Sequence, residues 1–139
     1  MNSSIPDFIK EHNVASIACL EGDKPYCFNC FYAVIEQEFC LVFKSPFSTK
    51  HAKLLERNGN VAGTIAAEQL NPALIKGLQF EGVVVKEAMD ISLKASAAYY
   101  MRYPMALAIP GKLWVVRITA AKLTDYSKGM GYTEEWSGE

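Results

Sequence analysis

Several things are scarce in this chain, and each scarcity removes a class of function. Histidine is nearly missing: only His12 and His51 occur, which leaves imidazole acid–base catalysis few candidates. No basic excess exists, since 14 Lys and Arg meet 15 Asp and Glu for a net charge of −1. Nucleic-acid partners, which select basic stripes, are therefore not expected. No run approaches the roughly 18 apolar residues of a membrane helix. The opening Met1-Asn2-Ser3-Ser4-Ile5-Pro6-Asp7 lacks the basic-then-apolar order of a secretory signal. A cytoplasmic protein that does not enter membranes is expected. Linkers, repeats and Gly-rich phosphate loops are missing too, as are Ser/His/Asp and paired-carboxylate constellations.

Four cysteines remain: Cys19, Cys27, Cys30 and Cys40. Cys27 and Cys30 form a C-x-x-C, but the run around them reads as a strand. Residues three apart on a strand point to opposite faces, so the pair is poorly placed to share a metal. No second C-x-x-C or His pair stands at ligand spacing, and no metal is expected. Small buried hydrophobes in a reducing compartment is the preferred reading.

What is present is an ordinary globular composition over 139 residues, half of them apolar, enough for one domain (1–139) with one substantial core. Pro6 with Ile5, Phe8 and Ile9 predicts a short amphipathic helix ending near His12-Asn13. Strands are predicted over Val14 to Leu20 and Tyr26 to Ile35, with a turn at Glu21 to Pro25. A third runs from Phe39 to Lys44 after a turn at Glu36-Gln37-Glu38. A helix from Ser48 to about Arg57 is closed by Asn58-Gly59. Asn60 to Ala66 and Leu74 to Val85 follow as strands, the latter with bends at Gly77 and Gly82. Asp90 is a good N-cap for a helix through about Arg102, stopped before Pro104. Leu113 to Leu123 makes a final strand, and the tail from Ser127 to Trp136 shows no period. Strands joined by short turns, several of them apolar on both faces, predict a mainly β protein: a small antiparallel barrel with flanking helices.

The stretch from Phe39 to Leu55 carries the most information. A strand leads through Lys44-Ser45-Pro46 into a helix opening on Ser48, Thr49 and Lys50. A helix start exposes unpaired N–H groups and a partial positive charge, and so favours a phosphate. Capping explains one hydroxyl there; it does not call for three, or for a Lys in the first turn. Asn29 sits mid-strand in an apolar and aromatic run, either capping a bulge or aimed into a ligand pocket. Gln79 lies opposite the face of Leu78 and Phe80, as a solvated face would also have it. His51 stands near the helix start, within reach of a phosphate or facing solvent. Trp114, Tyr132 and Trp136 are candidate core or interface aromatics.

The order of these elements resembles the FMN-binding split barrels related to pyridoxamine 5'-phosphate oxidase. Lys44-Ser45-Pro46-Phe47-Ser48-Thr49-Lys50-His51 is similar to the family's Ser-Arg-Lys-type phosphate segment, with Thr49 in place of the Arg. Leu78-Gln79-Phe80-Glu81-Gly82 resembles its Gln-and-Gly strand, and Leu113-Trp114-Val115-Val116-Arg117-Ile118 its closing strand. The oxidase's basic C-terminal segment has no counterpart, because Ser127 to Glu139 is acidic and aromatic. The resemblance implies an antiparallel split barrel holding FMN at a homodimer interface, and a flavin-dependent oxidoreductase acting on a small organic substrate. It implies Ser48, Thr49 and Lys50 on the phosphate, with Asn29 and Ser45 on phosphate, ribityl chain or ring edge. The ring would lie along the strand near Phe43 and Lys44. Gln79, Trp114 and Tyr132 or Trp136 would come from the second subunit. Two alternatives stay open: a non-catalytic flavin carrier or sensor, and a haem-binding split barrel.

Overall fold

The computed structural model describes residues 4–86 and 89–138. Its elements run α1 (Ile5–Glu11), β1 (Val14–Glu21), β2 (Lys24–Ile35), β3 (Cys40–Ser45), α2 (Lys50–Arg57), β4 (Asn60–Ala66), β5 (Lys76–Val84), α3 (Met89–Arg102), β6 (Lys112–Asp125) and β7 (Thr133–Ser137). Among the described residues, all seven strands form one antiparallel sheet in the order β3-β2-β1-β4-β5-β6-β7. A further pairing of β3 with β6, from Cys40↔Arg117 to Ser45↔Lys112, closes the first six strands into a ring. The expected antiparallel barrel is therefore present, with β7 added outside it on the far half of β6.

Alternation along each strand decides what faces in. Ile17, Phe43, Leu78, Phe80, Val116 and Leu123 project inside and are buried. Ala52, Leu54 and Leu55 of α2 join this core near Phe28; Ile5, Phe8 and Ile9 of α1 join it near Tyr32. The Tyr32 hydroxyl donates to the Ile9 carbonyl at 2.5 Å, which ties α1 down. Gly63 permits the tight packing inside: a Cβ there would lie 2.3 Å from the Phe80 ring and 2.7 Å from the Ser16 carbonyl. The outer face splits into two halves. Ala33, Ile35, Cys40, Val42 and Val115 point outward from β2, β3 and β6 and are covered by Ala95 and Tyr99 of α3. The outward residues of β1, β4 and β5 carry no such cover.

Several boundaries differ from expectation. The first hairpin is tighter: Glu21 pairs with Lys24 across Gly22-Asp23, with Gly22 at φ +62°, where glycine is favoured. Phe39 belongs to the next turn, at φ +53°, so β3 starts at Cys40. Pro72–Leu74 is a short 3₁₀ turn capped by Asn71, and β5 begins only at Lys76. The bend at Gly82 is present as a register shift between Glu81 and Gly82; the pairing runs through Gly77 without one. Asp90 lies inside the first turn of α3 rather than capping it. The tail, without period in sequence, supplies β7, because its partners come from β6. All four cysteines are free; Cys27 is exposed while Cys30 turns inward, where burial pushes its thiol up to about 12. Among the described residues, no cluster of side chains is placed to hold a metal, and no helix is long and apolar enough to cross a membrane.

Candidate functional site

The junction between β3 and α2 is built around His51. Ser45 ends β3 facing inward and is nearly buried, and Pro46, Phe47 and Ser48 turn the chain. Thr49 is the N-cap, so the helix begins at Lys50, two residues later than its hydroxyls suggested. The Thr49 hydroxyl is fully engaged: it donates to the Pro46 carbonyl at 2.9 Å and accepts from the Ala52 N–H at 3.3 Å. His51 folds back so that Nε2 lies 2.7 Å from Ser45 Oγ and 3.4 Å from Thr49 Oγ1. Its ring stacks on Phe28, centroids 3.9 Å apart and planes within 8°. Burial lowers its pKa and keeps the imidazole neutral.

A serine hydroxyl within 2.7 Å of an imidazole is the spacing of a nucleophile and its base. No carboxylate orients the other ring nitrogen among the described residues, and Ser45 is only 7 % exposed. The pair therefore braces the junction.

What stays available at the junction is a set of donors. The first-turn N–H groups of Lys50 and His51 have no acceptor among the described residues, as a helix start requires. Ser48 is exposed with its hydroxyl unpartnered among the described residues. The Lys50 ammonium rests 3.2 Å from Glu21 and 4.7 Å from the Tyr26 ring centroid. Lysine and glutamate are each about half exposed, so water screens their attraction and the pair is easily parted.

The remaining predicted residues fall elsewhere. Phe43 and Trp114 are cross-strand neighbours inside the barrel, with near-parallel rings 6.5 Å apart. Trp114 is 2 % exposed and its indole N–H donates to the Ser45 carbonyl at 3.2 Å, so it forms part of its own barrel's wall. Lys44 points outward; its ammonium donates to the Ala106 carbonyl at 2.8 Å and lies 4.8 Å from the Tyr100 ring centroid. Tyr132 donates to Glu134, and Trp136 packs edge-on against Phe39.

Asn29 and Gln79 lie on one polar row across the bare outer face. Register places Asn29 beside Ser16, Ser16 beside Thr64, Thr64 beside Gln79, and Gln79 beside Lys122. Asn29 Oδ1 accepts from the Ser16 hydroxyl at 2.6 Å. The next row holds Cys27, Ala18, Ala62, Glu81 and Ala120, mostly small. Neither Ser16 nor Thr64 was singled out from sequence. Each is an ordinary strand residue until pairing across four strands lines it up with the two amides.

No family model matches the chain. A UPF0306 protein of Photorhabdus laumondii is 31 % identical over 129 residues, covering 93 % of this chain and 90 % of that protein. Among solved structures, a haem-binding protein of Mycobacterium smegmatis is similar with a TM-score of 0.76 at 17 % identity. It covers 91 % of this chain, which spans 53 % of that longer protein. A FAD-binding protein of Mesorhizobium loti is similar with a TM-score of 0.69 at 15 % identity, covering 87 % and 93 % of the two chains. At such identities the likeness shows a shared fold, here the split barrel. Matched along almost its whole length at 31 % identity, the chain belongs to the UPF0306 family.

Proposed function

We propose that this chain binds FMN as a homodimer, with the phosphate at the start of α2, and acts as a flavin-dependent oxidoreductase on a small organic substrate. The observation that carries this reading is the donor set there. Two first-turn N–H groups and the Ser48 hydroxyl, all without a partner among the described residues, and a Lys50 ammonium loosely held by Glu21 are all donors. Such a set fits a phosphate dianion. Thr49 contributes by fixing the turn rather than by offering its hydroxyl. Bound flavin would supply the electron chemistry; the chain would anchor it, orient it and keep water away.

The bare polar row supplies a reason for two copies. Asn29 and Gln79 stand three strands apart on one protomer, about 14 Å at ordinary strand spacing, too far for one ring edge. A two-fold axis between Ser16 and Thr64 would set Asn29 against Gln79 of the partner subunit, the arrangement an isologous interface gives. The small residues of the adjacent row favour close approach of two sheets. Freshly purified protein is expected to show flavin absorbance, to release FMN on denaturation, and to sediment as a dimer. Failure to bind added FMN at micromolar concentration would overturn the reading. Steady NAD(P)H oxidation by the flavin-loaded dimer would support the enzyme; its absence would leave a carrier or sensor.

Haem is the second reading, and His12 favours it. A carbonyl only accepts, so the 2.8 Å contact to Phe8 O makes Nδ1 the donor, and in the neutral tautomer the lone pair then lies on Nε2. That is how a ligating imidazole is commonly held. A Soret band on haem titration that vanishes in His12→Ala would favour haem; one that persists in the variant would remove His12 as its ligand.

A further inference from the structure

A cavity of about 490 Å³ opens on the other side of α2, between its last turn, the end of β5, the first half of α3 and the start of β6. That size is typical of a small-molecule site. One side of its wall is apolar, made by Leu55, Val84, Ile91, Leu113 and Val115, and Trp114 also lines it. Its charged rim is one-sided: among the described residues Arg57, Lys86 and Lys112 face a single carboxylate, Glu56. In a chain whose charges nearly cancel, this is a local basic excess.

Pairing does not absorb these cations. Arg57 and Lys86 make no ion pair among the described residues. Lys112, its side chain only 24 % exposed, meets Glu56 at 3.9 Å, a loose contact; its ammonium lies 4.4 Å from the Trp114 ring centroid. Arg57 in the last turn of α2 has a simpler use, since a cation there suits the helix dipole. That use accounts for neither Lys86 nor Lys112. The first two turns of α3 add the hydroxyls of Ser92 and Ser96.

We infer that this cavity is a second binding site, for an organic anion with a flat or apolar body and one terminal carboxylate or phosphate. The apolar wall takes the body; Arg57, Lys86 and Lys112 take the anionic end. Apart from Trp114, none of its lining residues belongs to the sites discussed for flavin. The inference does not rest on FMN being bound.

The test uses the full chain carrying Trp136→Phe, so that fluorescence reports Trp114 alone. The probes are 4-nitrobenzoate and 4-nitrophenyl phosphate, whose nitro groups quench indole, with nitrobenzene and inorganic phosphate as controls. Saturable quenching by at least one anionic probe is expected, with nitrobenzene and phosphate each at least tenfold weaker, since each lacks half of what the site recognises. Which anion binds tighter identifies the terminal group. The exposed double change Arg57→Gln with Lys86→Gln should weaken that binding by roughly tenfold or more, as loss of charge-assisted contacts predicts. It should leave FMN affinity unchanged. Ser92→Phe, which fills the cavity, should abolish quenching. Absence of saturable quenching by either anion, equal binding of nitrobenzene, or indifference to the double change would overturn the inference.

Discussion

The two halves of the barrel's outer surface belong to one sheet and are treated oppositely. On β2, β3 and β6 the outward residues are Ala33, Ile35, Val42 and Val115, and α3 lies over them as a second small core. On β1, β4 and β5 they are Ser16, Ala18, Ala62, Thr64 and Gln79, and nothing among the described residues covers them. An apolar face must be buried against another element to be stable, and here α3 supplies it. A face of small and polar residues tolerates water and still permits close contact with another sheet. The first half belongs to the fold; the second is the half that the proposed dimer would bury.

Substitutions that place a charge on each half should sharpen this contrast most. Val42→Asp puts a carboxylate under α3 with no partner, and it should cost at least about 3 kcal/mol, a large share of a typical domain's stability, read as a marked fall in the urea midpoint. Ala62→Arg on the bare face should shift stability by about 0.5 kcal/mol or less, yet leave sedimentation showing monomers. Equal damage from both would mean that the bare face is part of the folding core.

Lys50→Ala should weaken FMN binding by about 1.5 kcal/mol, near tenfold, at unchanged melting temperature. Only the lower end of the range for a charged hydrogen bond is expected, since Lys50 must first leave Glu21. Unchanged affinity by fluorescence titration would show that the helix start serves only its own cap.

The smallest effect concerns His51. Its folded pKa is depressed by burial, so the unfolded chain takes up a proton at higher pH than the folded one does. The stability this group supports is complete above about pH 6.5 and declines as pH falls below it. His51→Gln can still hydrogen-bond Ser45 but cannot titrate. Its urea midpoint should fall less between pH 7.5 and 5.5 than that of the unaltered protein. An identical fall would place the acid sensitivity elsewhere.

Sequence made the barrel legible because strand composition and tight turns are local signals, and Ile5, Phe8 and Ile9 announced the apolar face of α1. It misplaced what depends on the rest of the chain. β7 has no pattern of its own and exists because β6 offers an edge. Thr49 looked like a ligand hydroxyl, but its spacing to Ala52 makes it the cap. Asn29 and Gln79 were noticed for being polar within strands. That they share one row, about 14 Å apart, follows only from register. His51 read equally as exposed or as phosphate-facing, since its stacking on Phe28 joins residues far apart in sequence.

The account stands or falls on an anion at the first turn of α2, and comparing FMN with riboflavin tests that directly, because the two differ only in the phosphate. Titrated against the purified protein, FMN should bind at micromolar concentration or tighter and riboflavin at least tenfold more weakly, with the gap shrinking in Lys50→Ala. Equal affinity for the two, or no binding of either, would contradict it.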